Sequence, residues 1–224
     1  MTEFRPARFN AMPDVVKNLL ILNGLMYLAT IALQGMDIDL TAKFGLFYVG
    51  SDYFRPYQFV THMFMHGSFL HLFSNMFALW MFGMRLENYW GPKRFLFFYF
   101  FCGLGAAAMH SVVTYFEIQH LAQTADPETL MAASNVPTVG ASGAVFGVLL
   151  AFGMIFPNTQ LMLLIPPIPI RAKYFVLLYA IFELYAGVTS IQGGSNIAHF
   201  AHIGGMIFGF ILIKFWSRGR KDLY

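Results

Sequence analysis

Along the 224 residues, apolar positions gather into six runs separated by polar segments. A helix needs about 20 predominantly apolar residues to cross the hydrocarbon core of a bilayer. The runs predict helices over about residues 16–33, 69–84, 93–116, 142–156, 172–191 and 196–216, here spans one to six. Residues 35–68 read differently, with Asp37, Asp39, Lys43, Asp52, Arg55 and Pro56 interleaved with Phe44, Phe47, Tyr48, Phe54 and Phe59. That segment is too polar to span and too aromatic for a plain linker, which places it in the outer interface. Residues 118–138 read as a polar loop containing Asp126, Pro127 and Glu128. Pro157 stops span four, and Pro166, Pro167 and Pro169 lead into span five. With no internal repeat and no segment long enough for a soluble domain, the expected fold is all-α. It comprises a short cytoplasmic N-terminus (1–15), a six-helix membrane domain (16–216) and a basic cytoplasmic tail (217–224).

Composition supports the membrane reading. The chain is 58% hydrophobic and 11% charged, against about 25% charged in ordinary soluble domains. It contains 26 Phe, more apolar surface than a soluble domain of this size can hide. The net charge of +3 does not point to nucleic acid, because the basic residues form no patch. With both termini inside, the inner segments hold Arg5, Arg8, Lys17, Arg85, Lys93, Arg94, Arg171, Lys173, Lys214, Arg218, Arg220 and Lys221, and the outer ones only Lys43 and Arg55. Cytoplasmic loops of membrane proteins carry that excess. Arg5, Arg8 and Lys17 before an apolar run also suggest a secretion signal. The run continues to Leu33 without a small-x-small cleavage site, so it reads as a retained first span. The single cysteine, Cys102, rules out an intramolecular disulfide and a multi-cysteine metal site, and reads as a packed thiol.

Span four is short. About 15 residues at 1.5 Å each reach only about 22 Å, less than the roughly 30 Å core. If its Pro157 end lies at the cytoplasmic boundary, its Ser142 end is sunk below the outer surface. Non-helical backbone at that depth must be buried in protein or line a water-filled cavity. His202 lies roughly 18 Å above the inner boundary counted from Lys214, and His71 roughly 21 Å counted from Arg85. Asn75, four residues after His71, shares its helix face. Ser142, His202, His71 and Asn75 thus come from three spans to one level. The chemistry suits that grouping. A serine hydroxyl is a weak nucleophile until a base takes its proton, and His202 is such a base. Attack on an amide makes an oxyanion, for which the Ser142 N–H at a helix start, the Asn75 amide and the His71 ring N–H are candidate donors. Gly143, Gly147 and Ala151 on span four, and Ala201, Gly205 and Gly209 on span six, form small-xxx-small ridges that let two helices approach closely.

These pieces resemble the rhomboid family of intramembrane serine proteases. The resemblance rests on Phe54-Arg55, the run from His66 through His71 to Asn75, Glu87, Gly140-Ala141-Ser142-Gly143, and Ala201-His202 with Gly204-Gly205. It covers about residues 55–209. It implies the bacterial-type six-helix core, a Ser142–His202 dyad, and His71 and Asn75 in the oxyanion hole. It also implies an aromatic packed on the histidine four residues after the serine. Here that is Phe146, where some relatives have Tyr. Gly140, Gly143, Phe146 and His199 are read as supporting residues. The resemblance further implies a gate involving span five and the loop before span six, and a bacterial cytoplasmic membrane. No cofactor and no metal is expected.

Each residue also has a plainer reading. A glycine-flanked serine in a membrane helix is most often packing, and His71 with Asn75 could be an interhelical hydrogen-bonding pair. His202 could be a buried structural imidazole. The coincidence of depth, order and motif favours the site. His66 is expected to brace the outer loop by hydrogen bonds, and His199 to make a supporting or gate contact. Arg55 is expected to anchor its loop, and Glu87 to tie the inner end of span two. His62 and His110 receive no role. An acid inside a span is rare and usually functional. For Glu183 a place facing the cavity or another helix is preferred over that of a triad acid.

The leading function is an intramembrane serine endopeptidase that cleaves single-span membrane proteins near the outer face, with the lipid bilayer as its other partner. The alternative is a non-catalytic relative that binds client transmembrane helices. A third class is a haem or metal protein with His71 and His202 as facing ligands. A zinc protease is disfavoured because no H-E-x-x-H occurs, and a transporter by the lack of repeats.

Overall fold

The computed structural model describes residues 9–162, 167–189 and 196–217. Arg5, Arg8, Pro166, the loop before the last helix and the tail residues Arg218, Arg220 and Lys221 lie outside them. The protein is mostly helical. In order come α1 (Asp14–Gln34), α2 (Leu40–Phe44), α3 (Gln58–Thr61) with a 3-10 turn (His62–Phe64), and α4 (Phe69–Ala78). A π-helical turn (Leu79–Gly83) joins α4 to α5 (Met84–Trp90). Then follow α6 (Pro92–Thr124), α7 (Pro127–Ser134), α8 (Ser142–Ile155), α9 (Ala172–Thr189) and α10 (Asn196–Ser217). Among the described residues, Asp14–Gln34, Pro92–Thr124 and Ala198–Ser217 are long and apolar enough to cross a membrane. The chain is an integral membrane protein.

Two stretches depart from the predicted pattern. The segment read as a loop from residue 118 is helical to Thr124, and α7 follows. Gln119, Leu121, Ala122 and Gln123 are tolerated in a helix, so polarity after the buried Ile118 ends burial without ending the helix. Helix α6 stops only before Asp126-Pro127, where Asp126 accepts from the Thr129 N–H and caps α7. The second departure is a pair of short antiparallel strands, β1 (Gln160–Met162) and β2 (Pro169–Arg171), with Gln160 opposite Arg171. They occupy the proline-bounded stretch between α8 and α9, so the fold is not wholly α.

The core forms around α8, whose residues Gly143 to Leu149 are all buried. A helix apolar on every side belongs inside a bundle. Helix α10 meets it along the glycines. A Cβ placed on Gly205 would collide with the Gly143 carbonyl, and one on Gly209 would lie 3.4 Å from Gly147 Cα. Helix α6 closes a second side, with Ala106 against Gly143 and the Cys102 thiol, fully buried, against Gly147. Glu87, 3% exposed, does more than tie its own helix. Its two carboxylate oxygens accept from the N–H groups of Val15 and Val16 at 2.9 and 2.8 Å, capping α1. The donors at a helix start carry partial positive charge, which a carboxylate satisfies.

The segment before α4 is pinned to the loop before α8. Leu46 and Thr138 exchange backbone hydrogen bonds, and the Gly140 N–H donates to the His62 carbonyl at 2.9 Å. Arg55 donates to the carbonyls of Asp52 and Phe54 at 2.8 and 2.7 Å, holding its own loop. His66 does not brace the segment by hydrogen bonds as expected. It is buried, neither ring nitrogen has a hydrogen-bond partner among the described residues, and its ring edge packs on His71 at 5.1 Å. Burial pushes the pKa of His62 and of His66 down to about 4, aided at His66 by His71. Both are therefore neutral at pH 7.

Candidate active site

Ser142 opens α8, directly after Ala141 as N-cap. The loop that delivers it turns at Gly140, whose φ of +131° is one that only glycine adopts without strain. Close approach also demands glycine there, because a Cβ would stand 2.9 Å from Cε1 and Nε2 of His71. On α10, His202 lies opposite, held near by the contact of Gly205 with the Gly143 backbone. The result is a hydrogen bond of 2.8 Å between Ser142 Oγ and His202 Nε2. The ring of Phe146, one turn after the serine, stacks on His202 at 4.1 Å and 10°, and Tyr179 of α9 also packs on Phe146, at 5.3 Å.

Helix α4 supplies the facing wall. Ser68 caps it by accepting from the His71 N–H at 3.1 Å. Asn75, 5% exposed, donates one amide N–H to the His71 carbonyl at 2.9 Å. An amide nitrogen carries two hydrogens, so the second is left for another acceptor. His71, Asn75, Ser142, Phe146 and His202 line one cavity of about 390 Å³. A smaller cavity of about 160 Å³ lies behind, bordered by His62, His110, Gly140, Gly143, Ser142 and His202. His62 bonds the Gln58 carbonyl at 2.8 Å through Nδ1.

Glu183 is the residue that sequence reasoning undervalued. It is 3% exposed, and its Oε2 lies 2.9 Å from Nδ1 of His202 and 2.7 Å from Nδ1 of His199. It does face another helix, as preferred, but it lands behind the imidazole, where a triad acid would sit. A lone acid in an apolar span was the available signal. The register of α9 against α10 was missing, because no motif fixes it. Tyr179 was missed too. It lies four residues before Glu183 and hence on the same face. The expected contact of His199 is this bond to Glu183, while the loop that would form the gate is outside the described residues.

Chemically, the arrangement provides a hydroxyl bonded to an imidazole, donors on the opposite wall and a space between them. The ligand atoms of Glu183, His199 and His202 also lie within 4.8 Å of one another, close enough to hold a metal ion. The Glu183 carboxylate bonds each of the two imidazoles.

A family model described as the rhomboid domain matches residues 53–219. The chain is 32% identical over 146 residues to rhomboid protein 1, mitochondrial, of Saccharomyces cerevisiae, covering 65% of this chain and 38% of that protein. To RHOMBOID-like protein 12, mitochondrial, of Arabidopsis thaliana it is 30% identical over 177 residues, covering 76% and 48%. To rhomboid protease AarA of Providencia stuartii it is 30% identical over 164 residues, covering 70% and 54%. The matched region is thus 54% or less of each of these relatives.

Proposed function

The chain belongs to the rhomboid family, and from that premise we propose that it is an intramembrane serine endopeptidase using Ser142 and His202. The observation that carries the reading is the 2.8 Å hydrogen bond between Ser142 Oγ and His202 Nε2 beside a cavity. In this mechanism Nε2 takes the hydroxyl proton as Oγ attacks the scissile carbonyl carbon. The resulting oxyanion is met by the Ser142 N–H, the His71 ring N–H and the free amide hydrogen of Asn75, each such donor being worth roughly 3 kcal/mol. The C–N bond then breaks, the amine leaves with the proton carried by His202, and water repeats the sequence on the acyl-enzyme. The positions of Gly140 and Gly143 support this geometry. The Phe146 stack holds the imidazole plane, and the phenylalanine brings no hydroxyl of its own.

Six membrane passes are part of the proposal: α1, the α4–α5 run, α6, α8, α9 and α10, with both termini cytoplasmic. Substrates would be single-span membrane proteins cut near the outer face. An amide in a regular helix is shielded and hydrogen-bonded, so helix-weakening Gly or Pro near the cut should help. The bacterial cytoplasmic membrane is the proposed location. Two of the three relatives above bear mitochondrial names, so their names do not select it, and fractionation of the source cells would.

The test is cleavage of a helical substrate by the purified chain and by its Ser142→Ala and His202→Ala variants. Loss of cleavage in both is expected, and undiminished cleavage by either would sink the mechanism. A non-catalytic, client-binding relative has no need of a bonded Ser–His pair, which argues against that alternative. Haem ligation by His202 is disfavoured because both ring nitrogens already have partners, and a missing Soret band in the purified protein removes it.

A further inference from the structure

A base that takes a proton through Nε2 must carry its own hydrogen on Nδ1. A neutral imidazole has no intrinsic reason to choose that tautomer, so whatever faces Nδ1 decides. Here the Oε2 of Glu183 faces it at 2.9 Å. We propose that Glu183 is a positioning residue for His202, so that the site operates with a carboxylate–imidazole–hydroxyl chain in place of a two-residue dyad. The inference rests on the protease reading for its catalytic consequence, but not for its geometry.

Three observations carry it. The chain is continuous, with Glu183 Oε2 to His202 Nδ1 at 2.9 Å and His202 Nε2 to Ser142 Oγ at 2.8 Å. The carboxylate is itself held, because His199 Nδ1 lies 2.7 Å from the same oxygen and approaches from the preceding turn of α10. Finally, the burial of Glu183 is specific. Among the described positions of α9, Ala172, Val176, Glu183 and Gly187 are buried and most others face outward. Their separations of four, seven and four residues put them on one helix face, and Glu183 is the one charged side chain in that stripe. A carboxylate buried this way is tolerated only with donors around it, and among the described residues its donors are the two imidazoles. A carboxylate so placed also stabilises the imidazolium that forms when the serine proton arrives.

A purely structural tie between α9 and α10 would use the same contacts, so the test separates tautomer and turnover from folding. The full chain is purified with 15N-labelled histidine, and the His202 ring is read by two-bond correlations without substrate. In the wild type, Nδ1 is expected to carry the hydrogen and Nε2 to report as an acceptor. Glu183→Ala is expected to lose that preference and to lower kcat by about 100-fold or more, with KM within about twofold. Glu183→Asp is expected to restore part of both. Should Glu183→Ala fail to fold, Glu183→Gln keeps the volume and one acceptor without the charge. Its amide N–H2 can donate to Nδ1, so it is expected to weaken the Nδ1–H tautomer and to lower kcat at least about tenfold. A folded Ala or Gln variant with wild-type kcat would overturn the proposal. So would a His202 tautomer that does not respond to Glu183→Ala. Because the tautomer is read without turnover, failure of the protease reading would appear separately, as cleavage that survives Ser142→Ala.

Discussion

At the scale of single residues, the site depends on positions where nothing larger fits. Gly140 combines a φ of +131° with the His71 ring 2.9 Å from where a Cβ would be. Gly140→Ala should therefore cost about 1–3 kcal/mol in backbone strain and push either the loop or His71 aside. The expected result is a lower thermal midpoint in detergent together with slower labelling of Ser142 by a fluorophosphonate. Unchanged labelling would mean that the loop absorbs the methyl group without moving the serine. Phe146 was legible as the aromatic facing His202 through the family resemblance, because its spacing of four residues from Ser142 is a property of the helix alone. The same local logic could not reach Glu183. Its partners lie 16 and 19 residues away on another helix.

At the scale of elements, α8 and α10 approach until backbone touches backbone, and Gly205 is where they do so. Gly205→Leu would drive a side chain into the Gly143 carbonyl. Overpacking of this kind costs typically about 1–3 kcal/mol or more, and here it also stretches the bond from Ser142 to His202. Thermal unfolding should fall and fluorophosphonate labelling should be lost together. Labelling that survives a drop in stability would show that the pair tolerates a wider gap. The small-xxx-small spacing announced this contact in advance, because it depends only on helix periodicity. The extension of α6 and the existence of α7 were not announced, since polar residues mark solvent exposure without specifying backbone shape. Asp126, which caps α7, is a separate test. The Thr129 N–H and hydroxyl donate to its carboxyl and hold its pKa below the ordinary 3.8. A depressed folded-state pKa adds stability above the unfolded value, and that stability fades as pH falls through the folded one. The protection of the Thr129 amide relative to its intrinsic exchange rate should be high near neutral pH and fall below about pH 4. In Asp126→Ala that protection should be low throughout the range, with proteolysis unaffected.

At the scale of the whole molecule, charge and depth are the governing quantities. The basic residues cluster on one side of the proposed six passes, which predicts an outcome for reporter fusions. A C-terminal green fluorescent protein should fluoresce, and alkaline phosphatase inserted within residues 118–138 should be active. The reverse pattern would overturn the proposed topology. From the sequence alone came the apolar runs, the charge asymmetry, the short span ending at Ser142 and the level shared by Ser142, His202, His71 and Asn75. Those follow from rise per residue, side-chain periodicity and transfer free energy, which act locally and can be counted along a chain. Only the tertiary structure decided that hydroxyl and imidazole lie within hydrogen-bonding distance, that Glu87 caps a helix far from it in sequence, and that the acid of α9 faces His202. Each of these depends on the rotation and offset of one helix against another. Packing of many side chains sets both, and no single segment encodes them.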